Sequence, residues 1–132
     1  MARVRARDTR PEMTLRRALW AHGLRYRLHT SDLPGRPDIV FRPRRVAVFV
    51  HGCFWHRHDC SAGVREPRSN QAFWRGKFQA NVARDKRAHA ALAHAGWAIV
   101  VVWECELRRP PQVRTAVERV CQALGVATRA IA

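Results

Sequence analysis

Histidine and cysteine residues are concentrated in one short segment, residues 51–60, which reads HGCFWHRHDC. Thiolates and imidazoles at such short spacing are the ligands that tetrahedral zinc requires. Cys53, His58 and Cys60 could supply three ligands, and Cys105, just beyond the last predicted strand, is the best candidate for the fourth. A site with four protein ligands is closed to substrate, so we expect a structural zinc ion. The alternative is a group of reduced core cysteines and surface histidines.

A candidate acid for hydrolytic chemistry is Asp38, which follows a proline at the start of a predicted buried strand. The neighbouring strand ends at Val50 and His51, and His56 follows shortly after it. A carboxylate at this position could bind Mg²⁺, which neutralises charge and activates water in phosphodiester cleavage. An imidazole that titrates near neutrality could accept the proton from that water. Taken alone, an Asp that opens a strand is more often a turn or capping residue.

Large apolar residues interrupt the ligand-rich segment at Phe54 and Trp55. On a loop held by zinc, these rings could enter the base stack of DNA as a wedge. The alternative is that they pack in the protein core. In the long helix predicted to follow, Trp74, Phe78 and Val82 recur at four-residue spacing and predict one apolar stripe.

The elements that must position these residues follow from hydrophobic periodicity and capping signals. Helices are predicted from Thr9 to Gly23, from about Asn70 to Ala95, and over 111–124. Strands are predicted over 24–30, 38–41, 45–50 and 98–103, with an irregular segment over 51–68. The long helix between two buried strands predicts a crossover, and therefore a mixed central sheet flanked by helices on both faces. We expect one α/β domain over residues 1–132, with residues 1–8 as a mobile basic arm.

The charge balance predicts a polyanionic partner. Twenty-five Lys and Arg residues oppose ten Asp and Glu residues, and the net charge is +15. Such an excess repels itself in a compact fold, and the arginine fork suits phosphate and guanine edges, so nucleic acid is the expected partner. A GC-rich genome also produces an Arg-rich composition. No apolar run reaches the length of a membrane span and no signal core follows the basic start, so we expect a soluble, cytoplasmic protein without a membrane partner.

A series of short motifs extends over nearly the whole chain, through about Arg109. They are RDTRPE (7–12), LPGRPDIV (33–40), VFVHGCFWH (48–56), HDC (58–60), FW (73–74), Lys77, NVARD (81–85), GW (96–97) and VWECEL (102–107). In residues and in order, the series resembles the very-short-patch-repair mismatch endonucleases of bacteria. No motif of that family can be matched beyond Arg109.

This resemblance implies a restriction-endonuclease-like fold and Mg²⁺-dependent hydrolysis of DNA. The enzyme would nick double-stranded DNA 5′ to the thymine of a T:G mismatch left by deamination of 5-methylcytosine, and so initiate very-short-patch repair. It would act as a monomer at the bacterial nucleoid. Functional coupling to a cytosine-5 methyltransferase and to mismatch-repair proteins is also implied.

Carried over residue by residue, the resemblance makes Asp38 the Mg²⁺-binding acid and His56 the general base. His51 would lie beside the scissile phosphate as an acid or phosphate ligand, and it stays a second candidate for the base. The backbone carbonyl of Val50 would bind the metal, where some family members have Thr. The family's N-terminal helix supplies an active-site acid, for which Glu12 is the candidate. The positions that match the structural zinc ligands are Cys53, His58, Cys60 and Cys105.

The resemblance also assigns the DNA contacts. Phe54 and Trp55 would form the wedge in the base stack, and Trp74 would contribute from the opposite side. If the resemblance is set aside, the usual interpretation of the polar face of the long helix is a solvent-exposed surface. Further candidates for DNA contacts are Arg36, Lys77, Asn81 and, in the basic arm, Arg3, Arg5 and Arg7.

Two other functions are compatible with these residues. A nuclease of the same fold could act on a different sequence or structure, or the chain could be a zinc-containing DNA-binding module without catalysis. The presence of Asp38, His51 and His56 together argues against the module, because a protein that only binds DNA does not need them.

Overall fold

Four helices and four strands form the part of the chain that the computed structural model describes, residues 8–60 and 63–126. In chain order they are α1 (Arg10–Ala21), β1 (Arg27–Leu28), β2 (Ile39–Phe41), β3 (Val46–His51), α2 (Cys53–His56), α3 (Gln71–His94), β4 (Ala98–Trp103) and α4 (Pro110–Leu124). Single turns of 3-10 helix occupy Arg42–Arg44 and Glu104–Leu107. Apart from Asp8, the predicted basic arm with Arg3, Arg5 and Arg7 lies outside the described residues. Among the described helices, none is both long and apolar enough to cross a membrane.

The strands form one mixed sheet in the order β1-β2-β3-β4. β1 pairs with β2, and β2 with β3, in antiparallel fashion. β3 and β4 are parallel, from Val46 opposite Ala98 to His51 opposite Trp103. α3 makes the crossover between these two parallel strands. The predicted mixed α/β sheet is therefore confirmed.

The central strand β3 contributes to two cores because its side chains alternate between the faces of the sheet. Val46 and Val48 are completely buried in the core that α1 and α4 cover. Ala47 and Phe49 point to the opposite face, where they pack with Leu92 of α3. Helices thus cover both faces of the sheet, as predicted.

The first turn of α1 follows from its sequence signals. Thr9 is the N-cap, and its hydroxyl accepts a hydrogen bond from the Glu12 backbone N–H at 3.4 Å. Proline in the first turn lacks only an N–H that would have no helical partner. Leu15 and Leu19, spaced by one turn, are completely buried against the sheet. This packing turns the start of α1, with Glu12, toward the end of the sheet where β3 finishes.

The predicted strand over 24–30 is much shorter in the structure, since β1 spans only Arg27–Leu28. The Leu24 N–H donates to the Leu19 carbonyl and so belongs to the end of α1. His29 has a left-handed backbone with φ of 47°, which an extended strand cannot include. The sequence shows the alternation of a strand, but contacts with α1 at one end and this turn at the other limit the pairing.

The segment predicted to be irregular, 51–68, contains the helical turn α2. Its hydrogen bonds run from the His56 N–H to the Gly52 carbonyl and from the His58 N–H to the Cys53 carbonyl. Arg57 ends the turn with a left-handed backbone, φ 55°. The short helix begins directly after β3, so the strand determines where its aromatic and histidine side chains lie.

The turn that leads into β2 packs closely against its neighbours at Gly35, which has φ of +76°. A Cβ atom at this position would lie 2.6 Å from the Ala88 Cβ on α3 and 3.1 Å from the ring of Phe49. Neither neighbouring atom belongs to the far end of a flexible side chain that could move away. Only glycine therefore allows the backbone of this turn to lie so close to Ala88 and Phe49. The contact determines where Asp38 enters the sheet.

We expect Gly35→Ala to lower the free energy of unfolding by roughly 2–3 kcal/mol, because it combines a left-handed backbone with a steric clash. Gly76→Ala is the matched control: no atom lies within 4 Å of a Cβ placed there. Within helix α3 that control should stabilise the protein by about 0.5–1 kcal/mol. Urea denaturation monitored by circular dichroism measures both changes, and two changes of the same sign would contradict this account of the turn.

Candidate functional site

A cavity of about 520 Å³ lies where α1, β2, β3 and α2 meet. It brings together six predicted site residues: Glu12, Asp38, Val50, Phe54, Trp55 and His56. The remaining lining residues are Thr9, Pro11, Gly52 and Glu104. Residues from α1, the start of β2, β3, α2 and the 3-10 turn after β4 therefore converge on one space that contains carboxylates, an imidazole and aromatic rings.

Asp38 is fixed to β3 by its main chain and its side chain. Its N–H donates to the Val48 carbonyl at 3.0 Å, and its Oδ2 accepts from the Val50 N–H at 2.7 Å. Burial raises the pKa of Asp38 to about 7, and the negative charge of Glu12 acts in the same direction, although the hydrogen bond from Val50 lowers it. Two neighbouring carboxylates in such a cavity favour a bound cation.

Glu12 is a buried carboxylate, only 1% exposed, with hydrogen bonds to both oxygens. Its Oε2 accepts from His29 Nε2 at 2.7 Å and from Arg16 Nη1 at 3.2 Å. Its Oε1 accepts from the Asp8 N–H at 3.3 Å. The sequence offered Glu12 as a candidate, and the structure places it on the wall of the cavity that Asp38 also lines.

His56 faces the cavity from α2, and its Nδ1 lies 2.5 Å from Asp85 Oδ2 on α3. Since an ionised carboxylate only accepts, Nδ1 carries the hydrogen and donates it. Burial alone would raise the pKa of Asp85, but the hydrogen bond from His56 and the charge of His56 hold that pKa below its usual value. The Nε2 atom of His56 is then the basic nitrogen of the ring.

His51 lies behind His56 and is not part of the cavity wall. The two rings are stacked, with centroids 3.9 Å apart and planes 15° apart. Burial, with the charge of His56, lowers the pKa of His51 to about 3, so the ring is neutral at physiological pH. Its Nε2 is 3.9 Å from Asp85 Oδ2 and has no hydrogen-bond partner in the described part of the chain.

The four predicted zinc ligands lie together. The candidate ligand atoms of the set lie within 4.8 Å of one another, and His58 Nδ1 is 3.5 Å from Cys105 Sγ. The set, which could hold a metal ion, comprises Cys53, His58, Cys60 and Cys105. The ring of His58 also stacks on Trp103 at 4.2 Å, which orients it. The remaining cysteine, Cys121, is buried in the core around α4.

The predicted wedge residues form one aromatic cluster. Phe54 contacts Trp55, Trp74 and Phe78 edge to face, with ring centroids 5.1–6.1 Å apart. Trp55 and Trp74 lie 5.6 Å apart. Phe54, Trp55 and Trp74 are half-buried, whereas Phe78 is buried. Trp74 and Phe78 of the apolar stripe predicted on α3 therefore pack against α2, whose own rings, Phe54 and Trp55, line the cavity.

The other residues predicted to contact DNA occupy different environments. Arg36 and Lys77 are exposed and do not line the cavity. The side-chain amide of Asn81 donates to the Trp55 carbonyl at 3.2 Å, so it links α3 to α2. Arg36 has a left-handed backbone, φ 48°, in the turn before Asp38.

No role was predicted from the sequence for Asp85, His29 or His89. Asn81, Asp85 and His89 repeat at four-residue spacing, which is the signal that could have identified one functional face of α3. His89 packs 4.8 Å from Phe49 and 5.9 Å from His51. Burial lowers the pKa of His89. His29 carries no such signal, because its contact with Glu12 depends on a local left-handed backbone.

The family model described as "DNA mismatch endonuclease Vsr" matches residues 1–62. These residues include three of the four predicted zinc ligands and all six predicted residues that line the cavity. Trp74, Asp85 and Cys105 lie beyond the matched range.

Curated relatives match over most of the chain. The type II nicking enzyme V.XorIIP of Xanthomonas oryzae is 54% identical over 107 residues, which are 81% of this chain and 78% of the relative. The type II nicking enzyme V.NmeAIP of Neisseria meningitidis is 36% identical, covering 94% of this chain and 88% of the relative. The DNA mismatch endonuclease Vsr of Escherichia coli is 42% identical, covering 82% of this chain and 69% of the relative.

The raised pKa of Asp38 predicts a stability change. A folded state that holds this proton more tightly than the unfolded chain loses stability as pH rises from about 4 to about 7. Asp38→Asn has no such proton, so without added divalent ions it should be more stable than the unmodified protein by roughly 2 kcal/mol at pH 8. The difference should vanish near pH 4.

Thermal denaturation at several pH values measures this difference. Glu118→Gln on the exposed side of α4 is the matched control, and it should leave the pH profile unchanged. Equal stability of the Asp38→Asn and unmodified proteins at pH 8 would contradict the buried, proton-binding environment of Asp38.

Proposed function

The chain belongs to the Vsr family of DNA nicking endonucleases, and from this premise we propose that it nicks double-stranded DNA 5′ to the thymine of a T:G mismatch. Such mismatches arise when 5-methylcytosine is deaminated, and the nick would initiate very-short-patch repair. The observation that carries the proposal is the cavity in which the Asp38 and Glu12 carboxylates lie beside the His56–Asp85 pair. A protein that only binds DNA has no need of these groups.

The proposed architecture is a restriction-endonuclease-like single domain over residues 1–132, with a zinc-stapled loop. Its support is the position of Asp38 at the start of β2, beside the end of β3, in a mixed sheet with helices on both faces. The same sheet holds both hydrophobic cores, which favours one folding unit over two.

The cavity fits a divalent cation such as Mg²⁺. Asp38 would bind it with the carboxylate oxygen not engaged by Val50, the Val50 backbone carbonyl would be a second ligand, and Glu12 would lie nearby. Hard oxygen donors suit Mg²⁺. A bound cation would also offset the repulsion between the Asp38 and Glu12 carboxylates, which contributes to the raised pKa of Asp38. When bound, such an ion neutralises charge on the scissile phosphate and lowers the pKa of a coordinated water.

His56 is proposed as the general base. Its Nδ1–H is donated to Asp85, so the lone pair on Nε2 is free to take the proton from the attacking water. Asp85 fixes the tautomer of the ring and stabilises the imidazolium that forms. Asp85 is thus a positioning residue that acts through His56.

His51 supports this base. With a pKa of about 3, the His51 ring is not protonated near neutral pH and has no imidazolium proton to donate. The role of His51 as an acid, implied by the resemblance, therefore has no support. Its stacking on His56 supports a role in holding the ring of the base in place rather than direct contact with the phosphate. For the same reason, we assign proton abstraction to His56 and not to His51.

The Cys/His set is proposed as a closed structural zinc site. Two thiols and an imidazole from the segment around α2 meet a third thiol, which lies in the turn after β4. This donor set is the one that tetrahedral zinc prefers, and it leaves no position for substrate. The site would tie the aromatic turn α2 to the end of the parallel strand pair.

Recognition of the mismatch is proposed to depend on the aromatic cluster of Phe54, Trp55 and Trp74. Rings inserted beside a mispair cost less free energy than rings inserted at a paired step, because the mispair is already weakly held. Asn81 would hold the wedge through the Trp55 carbonyl. Arg36 and Lys77, both exposed, would contact phosphates, which makes binding salt-dependent.

The biological setting is also a proposal. We place the enzyme in the bacterial cytoplasm at the nucleoid, acting as a monomer, because one active site suffices to cut one strand. Functional coupling to a cytosine-5 methyltransferase, which produces the damaged base, and to mismatch-repair proteins completes this picture.

A second candidate is a nicking enzyme of the same family with another target. Two of the relatives reported above are named type II nicking enzymes rather than mismatch endonucleases. The substrate comparison described next separates the two candidates.

The decisive assay is strand-resolved nicking with Mg²⁺ of duplexes that differ only in one T:G or T:A pair, within several methylated-cytosine contexts. Unstacking beside the T:G mispair should cost a few kcal/mol less than beside the T:A pair. We therefore expect the T:G duplex to be cleaved roughly 100-fold faster than the T:A duplex. Asp38→Asn should lower nicking by about 1000-fold or more while DNA affinity stays unchanged. Equal cutting of both duplexes would favour the second candidate, and residual full activity of Asp38→Asn would exclude the proposed metal site.

The zinc proposal is tested by Cys60→Ser against Cys121→Ser. Cys60→Ser should lose bound zinc and lower the melting temperature by about 10 °C, since binding free energy contributes to folding. Cys121→Ser should lower the melting temperature through the α4 core while zinc content stays complete. Elemental analysis and calorimetry measure both quantities, and full zinc in Cys60→Ser would contradict the four-ligand site.

A further inference from the structure

His29 contacts Glu12 and Asp38, two of the three acidic residues that line the cavity. Its Nε2 donates to Glu12 Oε2 at 2.7 Å, and its backbone N–H donates to the Asp38 carbonyl at 3.1 Å. Glu12 belongs to α1 and Asp38 to the start of β2, so these elements reach the cavity from different parts of the chain. His29 is therefore a direct physical link between the two carboxylate-bearing segments.

The other partners of Glu12 hold it less specifically. Arg16 follows Glu12 by one turn on the same helix, and its Nη1 also binds Asp8 Oδ1 at 2.7 Å. A cation on the same helix offsets the charge of the carboxylate, but it cannot fix the distance between α1 and the sheet. Asp8 contacts Glu12 from the start of the same helix. Of the three residues that donate hydrogen bonds to the Glu12 carboxylate (Asp8, Arg16 and His29), His29 is the one that follows a strand of the sheet.

The backbone of His29 is adapted to this contact. The preceding residue, Leu28, packs into the core that α1 covers. Strict alternation along an extended strand would direct the next side chain to the opposite face. A left-handed conformation at His29, φ 47°, ends β1 and lets the imidazole reach α1. Such a conformation costs about 1 kcal/mol or more for a residue other than glycine. The contact between His29 and Glu12 is therefore accompanied by local backbone strain.

A metal site at this position is not supported. Asp8, Glu12 and His29 lie close enough to form a three-ligand group. However, the guanidinium of Arg16 contacts both carboxylates and already provides the cation there. The group is better described as a buried hydrogen-bond network behind the cavity.

We propose that His29 is a positioning residue, which fixes the Glu12 carboxylate beside Asp38 so that both acids face a divalent cation and the scissile phosphate. This inference rests on the metal site of the proposed function. Partners of this kind orient ligands, and their loss lowers metal affinity or activity by about 10–100-fold.

The test compares His29→Met with His29→Gln. Both side chains are unbranched and of similar length, so both variants carry the same backbone strain, but only glutamine retains an N–H donor for Glu12. His94→Met, at the exposed end of α3, controls for replacement of a histidine. The first readout is the nicking rate as a function of Mg²⁺ concentration, together with DNA affinity.

His29→Met should raise the Mg²⁺ concentration for half-maximal nicking, or lower kcat, by about 10–100-fold with DNA affinity unchanged. His29→Gln should stay within about threefold of the unmodified enzyme. A residue with only a structural role would lower the melting temperature and leave the Mg²⁺ dependence unchanged. Equal Mg²⁺ dependence in all variants, or equal impairment of the Met and Gln variants, would overturn the proposal.

A second readout needs no DNA substrate. The melting temperature of each zinc-loaded variant is measured against Mg²⁺ concentration, since an ion that binds the folded state stabilises it. His29→Met should need about tenfold more Mg²⁺ for the same increase, and His29→Gln should match the unmodified protein. If the unmodified enzyme fails to prefer T:G while this pattern holds, the mismatch proposal fails and the role of His29 stands. If T:G nicking is found while the pattern is absent, only the role of His29 fails.

Discussion

The hydrogen bond from the Val50 N–H to Asp38 Oδ2 joins the start of β2 to the end of β3, and the site depends on it. The Asp38 N–H also donates to the Val48 carbonyl, so Asp38 is tied to one strand through a main-chain and a side-chain hydrogen bond. That strand leads directly into α2, which carries His56. The proposed metal-binding acid, Asp38, and the proposed base, His56, are therefore both positioned by β3. A shift of one residue in the register would turn its side chains to the wrong faces and separate them.

The site places two carboxyl groups, Glu12 and Asp38, where burial disfavours their ionised forms. Glu12 is almost completely buried, and burial raises the pKa of Asp38 to about 7. Hydrogen bonds from Val50, His29 and Arg16 satisfy these carboxylates, but they do not remove the repulsion between them. In the proposed enzyme, such a site would reduce the stability of the metal-free protein and prepare it to bind a cation, a common compromise between stability and activity. The two hydrophobic cores on either side of the sheet provide the stability that tolerates it.

The segment that carries the aromatic rings has little core of its own. α2 is a single helical turn, and its aromatic residues rest mainly on Trp74 and Phe78 of α3. The Cys/His set connects the same segment to the turn after β4. In the proposed enzyme, rigid anchoring on both sides would let half-buried rings enter DNA without collapse of the turn. The Asn81 amide on the Trp55 carbonyl adds a third point of attachment.

Features that depend on short-range pattern could be predicted from the amino-acid sequence. The spacing of Cys53, His58 and Cys60 identified a ligand set, and periodicity predicted the order of elements and a mixed sheet, because those signals act between near neighbours. The tertiary structure alone decided that Glu12 lies beside Asp38, that His56 pairs with Asp85, that His51 stacks behind it and that His29 bridges two elements. In the folded protein, β1 is shorter than the alternation of residues 24–30 predicts. The segment 51–60, predicted to be irregular, contains the helical turn α2. These outcomes depend on strand register, helix packing and one left-handed backbone, and such long-range contacts leave no local pattern to read.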